Sequence, residues 1–523
     1  MISPDLTTND PEKQKQHESG GLTMDATGAE NHTTLLAIEP SPLEEGVIWT
    51  GSDDGKLFVT RDGGENWTDV SRNLKGVPEG SYIAQVKASA YNAGEAFAVI
   101  NNYRRDDWTP YLMHTTNFGK SWKNIAEKKG LEGYTLSFVQ DPVEPNLMIV
   151  GTEFGLYVTI DGGKNFTKWT AGYPTVSTYD MVIHPREHDL VIGTFGRSFW
   201  VLDNIRPLRR LAQEGANVLE KAIAVYEPST AYQVESRQAA GTRFAADGMY
   251  AGENRPTGAL ITYSINTEAL KTGDEKEDAK AEKEKVQVKV FDMDGNEIRS
   301  FERTPENQGM NKLTWNLDRK GVMGPSRSPR RGNGNYEPSG GDVLPGTYKV
   351  VMHYGDYADS TMVEVEYDPR IEISMEALKA TYDFRDEWNA LNGRLAEAVN
   401  QLHEANKIIE LHEELAKADT REKEELESIN EMNKQTKEKI SEMMDMIFGK
   451  RDERQGITSD PTVTVVERLR GPARYLGNDA DGPGETEQNL LRLAREAVDD
   501  AVSQINSFVT TDWAEYQNSM EEA

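Results

Sequence analysis

The chain is 523 residues long, and its 58 Lys plus Arg against 88 Asp plus Glu give a formal charge of -30. At roughly 100–200 residues per domain, that length predicts three domains or four. Such acidity repels phosphate, which argues against general nucleic-acid binding and against docking on an anionic membrane. There is no cysteine, hence no disulfide, zinc–thiolate site, iron–sulfur cluster or Cys nucleophile. No apolar run reaches the ~18 residues of a membrane span. The start Met1-Ile2-Ser3-Pro4-Asp5 lacks the basic and apolar regions of a signal peptide.

Residues 1–30 are polar and carry Pro4, Pro11, Gly20, Gly21 and Gly28, which predicts an irregular lead-in. From 31 to about 210 the texture changes to short apolar runs of strand length, separated by Gly, Pro and Asp. These runs repeat. Thr60-Arg61-Asp62-Gly63-Gly64-Glu65-Asn66-Trp67 matches Thr115-Thr116-Asn117-Phe118-Gly119-Lys120-Ser121-Trp122 and Thr159-Ile160-Asp161-Gly162-Gly163-Lys164-Asn165-Phe166. The shared box is Ser/Thr-x-Asp-x-Gly-x-x-Trp, with Asn117 and Phe166 as variants. A second pattern precedes two of the boxes, at Gly51-Ser52-Asp53-Asp54-Gly55 and Gly151-Thr152-Glu153-Phe154-Gly155, and recurs at Gly193-Thr194-Phe195-Gly196. A third places an apolar residue shortly before a proline: Ile38 with Pro40, Val139 with Pro142, Ile183 with Pro185. Four units result, the second more divergent, at roughly the 40–55-residue period of propeller blades.

In the first unit, strands are expected over 47–50 and 56–60, with a turn at 52–55 between them. The Asp62 carboxylate can accept nearby backbone N–H groups, Gly64 can supply a positive φ, and Trp67 can pack its ring back across the hairpin. Asp62, Gly64, Trp67, Asn117, Gly119, Trp122, Asp161, Gly163 and Phe166 are therefore read as turn locks, since a hairpin needs its turn fixed in every blade.

The boxes resemble the Asp-box (BNR) repeats of sialidase-like and sortilin-like β-propellers. Residues 151–166 and 193–203 resemble bacterial secreted proteins of the sortilin-like or BNR-repeat glycosyl hydrolase type. The resemblance implies propeller blades over 31–210 and an extracellular or periplasmic location. Four units are fewer than most closed propellers of this family carry. Ile2-Ser3-Pro4-Asp5-Leu6-Thr7 resembles the segment that closes an earlier blade. The expectation is an incomplete ring in a chain that looks like the C-terminal part of a longer member, with blades and an export signal upstream.

A helical connector is expected over 208–220, then a fibronectin- or immunoglobulin-like β-sandwich over 220–368. Its strands are placed at 222–226, 259–265, 286–291, 297–301, 311–317, 346–353 and 360–366, with Asp294-Gly295 turning one hairpin. Leu344-Pro345-Gly346-Thr347-Tyr348-Lys349-Val350 resembles the last strands of such bacterial modules. Two inserts interrupt it. The Lys/Glu-rich 271–285 reads as a solvated hairpin extension, and 319–341, with Arg327, Arg330, Arg331 and Tyr336, as a disordered insert or a binding loop.

Residues 373–523 read as a helical hairpin or bundle. Trp388, Leu391, Leu395, Val399 and Leu402 mark a helix face that Ile409 and Leu415 extend. Asp419-Thr420-Arg421-Glu422 can cap a second helix carrying Leu426, Ile429, Ile440, Met443 and Ile447, ended by Gly449. The stretch 452–485 reads as loop, with Pro461, Pro472 and Pro483. A last helix covers 486–517, with Leu490, Ala494, Ala497, Val498, Ala501, Ile505 and Phe508. Met443, Met444 and Met446 are expected in its core.

Neighbouring turns of an antiparallel sheet lie at opposite ends, so the boxes are expected on one face of the blades and the 52–55-type turns on the other. That second face should present Asp53, Asp54, Tyr103, Arg104, Arg105, Asp107, Trp108, Glu153, Phe154 and Arg197, a mixture suited to a carbohydrate or peptide. A glycosidase would need two carboxylates about 5–9.5 Å apart, for which Asp54, Asp107 and Glu153 are the candidates. A sialidase would add three arginines and a Tyr–Glu nucleophile, and Arg104, Arg105 and Arg197 do not make a convincing set. His184 and His188 have i, i+4 spacing, but Pro185 argues against a zinc-binding helix. With no phosphate loop and no Gly-x-Ser-x-Gly, neither a cofactor nor serine-hydrolase chemistry is expected. The sequence thus predicts a secreted or periplasmic propeller-based binding protein. A glycoside hydrolase on the same face is the alternative. Self-association is expected through open blade edges around Ile38 and Trp49 at one end and Phe199 and Trp200 at the other.

Overall fold

The computed structural model describes residues 2–14, 32–127, 130–234, 255–274, 281, 283–329, 337–418, 423–450, 462–476 and 482–522. The chain divides into two compact units: 1–229 with 261–283 and 306–312, and 230–260 with 284–305 and 313–523.

The first unit is built of antiparallel meanders in chain order, the blades of a propeller. Blade one is β1 (Leu35–Pro40), β2 (Ile48–Ser52), β3 (Leu57–Thr60) and β4 (Trp67–Asp69). Blade two is β5 (Tyr82–Ala88), β6 (Ala96–Asn102), β7 (Asp107–Thr115) and β8 (Lys123–Asn124). Blade three is β9 (Thr135–Gln140), β10 (Met148–Thr152), β11 (Gly155–Thr159) and β12 (Thr167–Trp169). Blade four has three strands, β13 (Thr178–Ile183), β14 (Leu190–Thr194) and β15 (Phe199–Leu202). As the spacing predicts, each box joins the third and fourth strands. Thr60 and Asn66 both bond Asp62, and Thr159 and Asn165 bond Asp161 in the same way. Asn117 substitutes in blade two, accepting from Ser121 N and Thr115 Oγ1.

The repeats exist because of the seams between blades. A Cβ on Gly51 would sit 2.6 Å from Ile83 Cγ2 of blade two, and one on Gly151 would sit 2.2 Å from Ser137 Oγ and 2.5 Å from the Thr178 carbonyl of blade four. The glycine near the end of the second strand is thus required by the next inner strand. The box glycine has its own neighbour, since Gly119 faces Val70 at 2.9 Å and Gly163 faces Ile125 at 3.2 Å, each from the preceding blade. Gly64 of blade one meets Ile2 there instead, 2.1 Å from its carbonyl oxygen. Leu6 is buried, as is Leu74 of the matching stretch Val70-Ser71-Arg72-Asn73-Leu74. Ile2–Leu6 therefore lies against blade one as 70–74 lies against blade two, and this part of the lead-in is ordered packing.

The box aromatics follow the same logic. Trp122 and Phe166 are buried in the seam with the preceding blade, whereas Trp67 is half-buried and donates its indole N–H to the Ile2 carbonyl at 3.0 Å. The expected packing of Trp67 back across its own hairpin is not what holds it. Trp49, expected at an open edge, is fully buried against Trp122, because its side chain points to blade two. Ile38 and Leu36 on one end of the series are exposed, as are Val182, Phe199 and Val201 on the other, while Trp200 is half-buried. Among the described residues nothing covers these two end faces, so the four blades do not close a ring.

After blade four the helix Arg206–Glu214 follows, near the predicted connector. The next strands form a three-stranded sheet (Ile223–Val225, Ala259–Ile265, Gly309–Trp315), most of it in the first unit.

In the second unit, a five-stranded sheet orders Ala231–Gln233, Tyr357–Tyr367, Gly346–Tyr354, Val286–Phe291 and Glu297–Arg303. The expected sandwich region is therefore shared between the two units. Insert 271–285 lies partly outside the described residues. In insert 319–341, Arg330, Arg331 and Tyr336 lie outside them, but its ends pair as Asp318–Lys320 with Ser339–Asp342. Arg327 is spent on Asp445 and the Gly449 carbonyl, so that part is anchored.

The helices are Met375–Ala418, Lys423–Phe448, Val465–Tyr475, Glu485–Phe508 and Ala514–Glu522. Leu391, Leu395, Val399, Leu402 and Ile409 pack with Ile440, Ile447, Val498 and Ile505 in one core, which Met443, Met444 and Met446 join. Leu415 is exposed, and Leu491, next to the half-buried Leu490, is buried. The stretch 452–485, expected to be loop, contains the helix Val465–Tyr475. Thr464 caps it by accepting from Glu467 N, and burial of Val465, Val466 and Leu469 outweighs Pro472 inside it.

Candidate functional site

The turns 52–55, 102–106, 152–155 and 194–198 lie at the blade end opposite the boxes, where the chain also enters each inner strand. The two are tied together: Asp53 N donates to Thr34 O, Glu153 N to Tyr134 O, and Phe195 N to Ser177 O. Each blade's ladder is bulged next to this entry, at Leu35/Ala37, Ile83/Gln85, Gly151/Thr152 and Thr178/Asp180. A bulge re-aims side chains, and here it does so at the end of every inner strand.

An aromatic tier results. Tyr103 stacks on Tyr134 with ring centroids 4.3 Å apart and planes at 15°. Trp108, 51% exposed, tilts against Tyr134 at 5.4 Å. The Arg104 guanidinium lies 4.3 Å from the Tyr82 ring and 4.6 Å from the Tyr103 ring. Tyr179 and Phe195, both exposed, pair at 6.2 Å on blade four. Beside the tier lies an open hollow of ≈ 630 Å³ lined by His32, Asp53, Tyr82, Asn101 and Arg104. Tyr82 and Tyr134 occupy the same repeat position. Neither they nor Tyr179 and Phe195 are among the site residues expected from the sequence, although tyrosine at the entry of two inner strands is a visible signal.

The expected site residues separate into two groups. Tyr103, Arg104, Trp108 and Glu153 come together in the tier, and Asp53 lines the hollow, its carboxylate accepting from Thr34 N at 2.8 Å. Arg197 is exposed on blade four, with its carbonyl accepting from Trp200. Asp54 and Arg105, by contrast, serve the turns. Asp54 is 4% exposed and accepts from Ser52 and from Thr8 N and Oγ1, both at 2.6 Å. Burial acts to raise its carboxyl, but these bonds hold it below the usual range. Arg105 donates to the Glu79 and Gly80 carbonyls at 2.8 and 2.9 Å.

Asp107 is likewise occupied. It accepts from Thr109 N, Tyr111 Oη and Asn102 Nδ2, which outweigh burial and lower its carboxyl. Glu153 accepts from Tyr134 Oη at 2.7 Å and Ser177 Oγ at 2.8 Å. Burial, and then the bond to Glu153, push the Tyr134 phenol upward. A glycosidase acid needs a raised carboxyl facing the substrate. Asp54 and Asp107 are shifted the other way, and no hydrogen bond joins any two of the three candidates. His184 and His188 sit in a turn where His188 Nδ1 meets Arg209 at 2.9 Å. Among the described residues no cluster of His, Asp and Glu is placed to hold a metal ion.

No family model matches the chain, and a comparison with curated proteins finds no match. Solved structures do align with it. "YCF48 from Cyanidioschyzon merolae" is 20% identical over 32% of this chain and 56% of that one, with a TM-score of 0.22. "YCF48 bound to D1 peptide" is 14% identical over 62% of this chain and 82% of that one, with a TM-score of 0.25. "Structure of apo AztD from Citrobacter koseri" is 16% identical over 33% of this chain and 45% of that one, with a TM-score of 0.23. The chain thus spans about half the length of the first and third of these.

Proposed function

We propose that this protein is a propeller-based binding protein that takes a carbohydrate or peptide on the face opposite the boxes. The observation that carries this reading is the Tyr103–Tyr134–Trp108 tier, crossed by Arg104 and set beside an open hollow. Trp108, backed by the buried Tyr134 and the half-buried Tyr103, offers an exposed face to a sugar ring or side chain, and a guanidinium already resting on two rings is pre-organised to donate hydrogen bonds. The boxes are read as Asp-box repeats that lock turns and touch no ligand. An extracellular or periplasmic location rests on the resemblance of 151–166 and 193–203 to secreted proteins of that type.

The hydrolase alternative has less to support it, since two of its three carboxylates are lowered and engaged in turn bonds. Immobilised glycan and peptide panels, probed with the purified chain, test the proposal. Trp108→Ala and Arg104→Ala should each weaken retention at least about tenfold, and Asp54→Asn should weaken it far less. If the double variant retains every ligand as wild type does, the tier is not the site.

A further inference from the structure

In the second unit a cavity of ≈ 520 Å³ lies between the glycines Gly340 and Gly341 and the helices Met375–Ala418 and Val465–Tyr475. Its lining combines apolar Phe384, Trp388, Val466 and Leu469 with polar Arg385, Arg470, Asn389 and Asn392. A second cavity of ≈ 430 Å³ shares Arg385 and adds Asp342 and Tyr382. Arg385 Nε is buried with no hydrogen-bond partner among the described residues. Neither Arg385 nor Arg470 makes an ion pair with a described residue. Arg385 has the Asp342 carboxylate as an electrostatic neighbour, and Arg470 is exposed at the cavity. A buried guanidinium N–H with no acceptor carries a desolvation cost that an incoming acceptor removes.

The surrounding residues preserve this arrangement. A Cβ on Gly341 would lie 3.1 Å from Arg385 Cδ and 3.4 Å from Arg319 Nη2, so the glycine keeps room for both. Arg319 is held with its guanidinium 3.4 Å from the Tyr382 ring centroid and one nitrogen on Asp386, while its Nε and Nη2 stay unbonded. Trp388 is fixed by its indole N–H on the Leu469 carbonyl at 2.7 Å, and Asn392 by its own bond to the Trp388 carbonyl.

We propose that this cavity binds a small organic carboxylate with an apolar body. Its carboxylate bonds Arg385, with Arg470 and Asn389 beside it, and its apolar part lies on Phe384, Trp388 and Leu469. A guanidinium fork suits a carboxylate bidentately. The apolar part of the lining favours a hydrocarbon body over inorganic anions.

Calorimetric titration and thermal shift of the full chain with 3-phenylpropionate test this, beside neutral 3-phenylpropanol and inorganic phosphate. N-acetyl-Gly-Phe offers the same chemistry as a peptide C-terminus. The expected result is a ligand-dependent rise in Tm with 3-phenylpropionate or the dipeptide, and binding at least about tenfold weaker for the alcohol and for phosphate. Whichever carboxylate binds tighter identifies the source as free acid or chain end. Arg385→Gln should weaken binding about tenfold or more. Arg470→Gln, at an exposed position, should weaken it as well. Absence of binding by both carboxylates, equal binding of the alcohol, or unchanged binding by both variants overturns the proposal.

Discussion

Trp122 of blade two rests edge-on against Trp49 of blade one, ring centroids 5.9 Å apart and planes at 76°. The aromatic that ends each box is thereby a seam residue, filling the space between its own blade and the one before. Phe166 does the same one blade later, and Trp67, with no preceding blade described, meets the Ile2 carbonyl. Trp122→Ala should then destabilise the first unit by about 3–5 kcal/mol. Trp67→Ala, half-buried, should cost about 1–2 kcal/mol. Chemical denaturation followed by near-UV circular dichroism compares them, and equal losses would contradict the seam assignment.

The seam glycines give a sharper contrast. Gly151→Ala drives a methyl to 2.5 Å from the Thr178 carbonyl and should cost about 1–3 kcal/mol or more. Gly193 holds the same repeat position in blade four, where the nearest atom to an added Cβ is 3.7 Å away. Gly193→Ala should change stability by less than about 0.5 kcal/mol. Measured in the dissociated chain, a Gly193 variant as damaging as the Gly151 variant would mean that another part of the same chain occupies that face.

The open faces predict self-association. Phe199 and Val201 take the positions at which blade three buries Leu156 and Val158, and Ile38 takes that of Phe138, which is fully buried. The two ends resemble complementary halves of a seam, and a second copy would supply each with its missing half. Light scattering should give a mass above the monomer, lowered by Val201→Asp and by Gly193→Ala. A monodisperse wild-type monomer at tens of micromolar (~10–50 μM, ample for a seam of ordinary interface size) refutes this.

The boxes should resist acid. Hydrogen bonds from Asn66 and then Thr60 hold the Asp62 carboxyl down at about 2, against an ordinary 3.8. At Asp161 bonds from Asn165 and Thr159 outweigh burial in the same direction. A depressed carboxyl contributes stability that is fully present above its unfolded value and is lost as pH falls through the folded one. Asn117 makes equivalent bonds without a charge, so Asp62→Asn with Asp161→Asn should fold at neutral pH. Its denaturation midpoint should fall less steeply than that of wild type between about pH 4 and about pH 2. Parallel pH profiles would sink the argument.

Arg209 of the connector helix grips Asp141 of blade three through Nε and Nη2, at 2.9–3.0 Å, with both side chains buried. Burial, and then Arg206 and Arg209, lower the neighbouring His188, whose neutral ring can accept from Arg209. Arg209→Met leaves a buried carboxylate unpaired and should cost about 3–5 kcal/mol. Adding Asp141→Asn should restore part of that loss, since Val143 N and Glu144 N still find an acceptor. A double variant no more stable than the single one would show that the pair is not the source of the loss.

The blades, their boxes and the face that carries the turns were legible in the sequence, because a hairpin imposes local demands. A left-handed turn residue, an Asp or Asn that closes it, and an apolar strand of fixed length recur whenever the unit recurs. Residues 2–7 resembled a segment that closes a blade, while the lead-in around them read as irregular because its packing partners lie far along the chain. Which way each side chain points across a seam was decided by the tertiary structure. Trp49 is buried and Val182 exposed at comparable points of their blades, because burial there depends on whether another blade lies alongside. The site divided on the same principle. Asp54 and Asp107 looked like free carboxylates by type and position, yet Thr8, 46 residues from Asp54 in sequence, turns one of them into a turn lock. Tyr82, Tyr103 and Tyr134 belong to two blades, and the contact that makes them a surface exists once the inner strands are side by side. The helix Val465–Tyr475 was hidden by Pro472, because apolar burial against Met375–Ala418 and Glu485–Phe508 is non-local and outweighs the local propensity that the sequence displays.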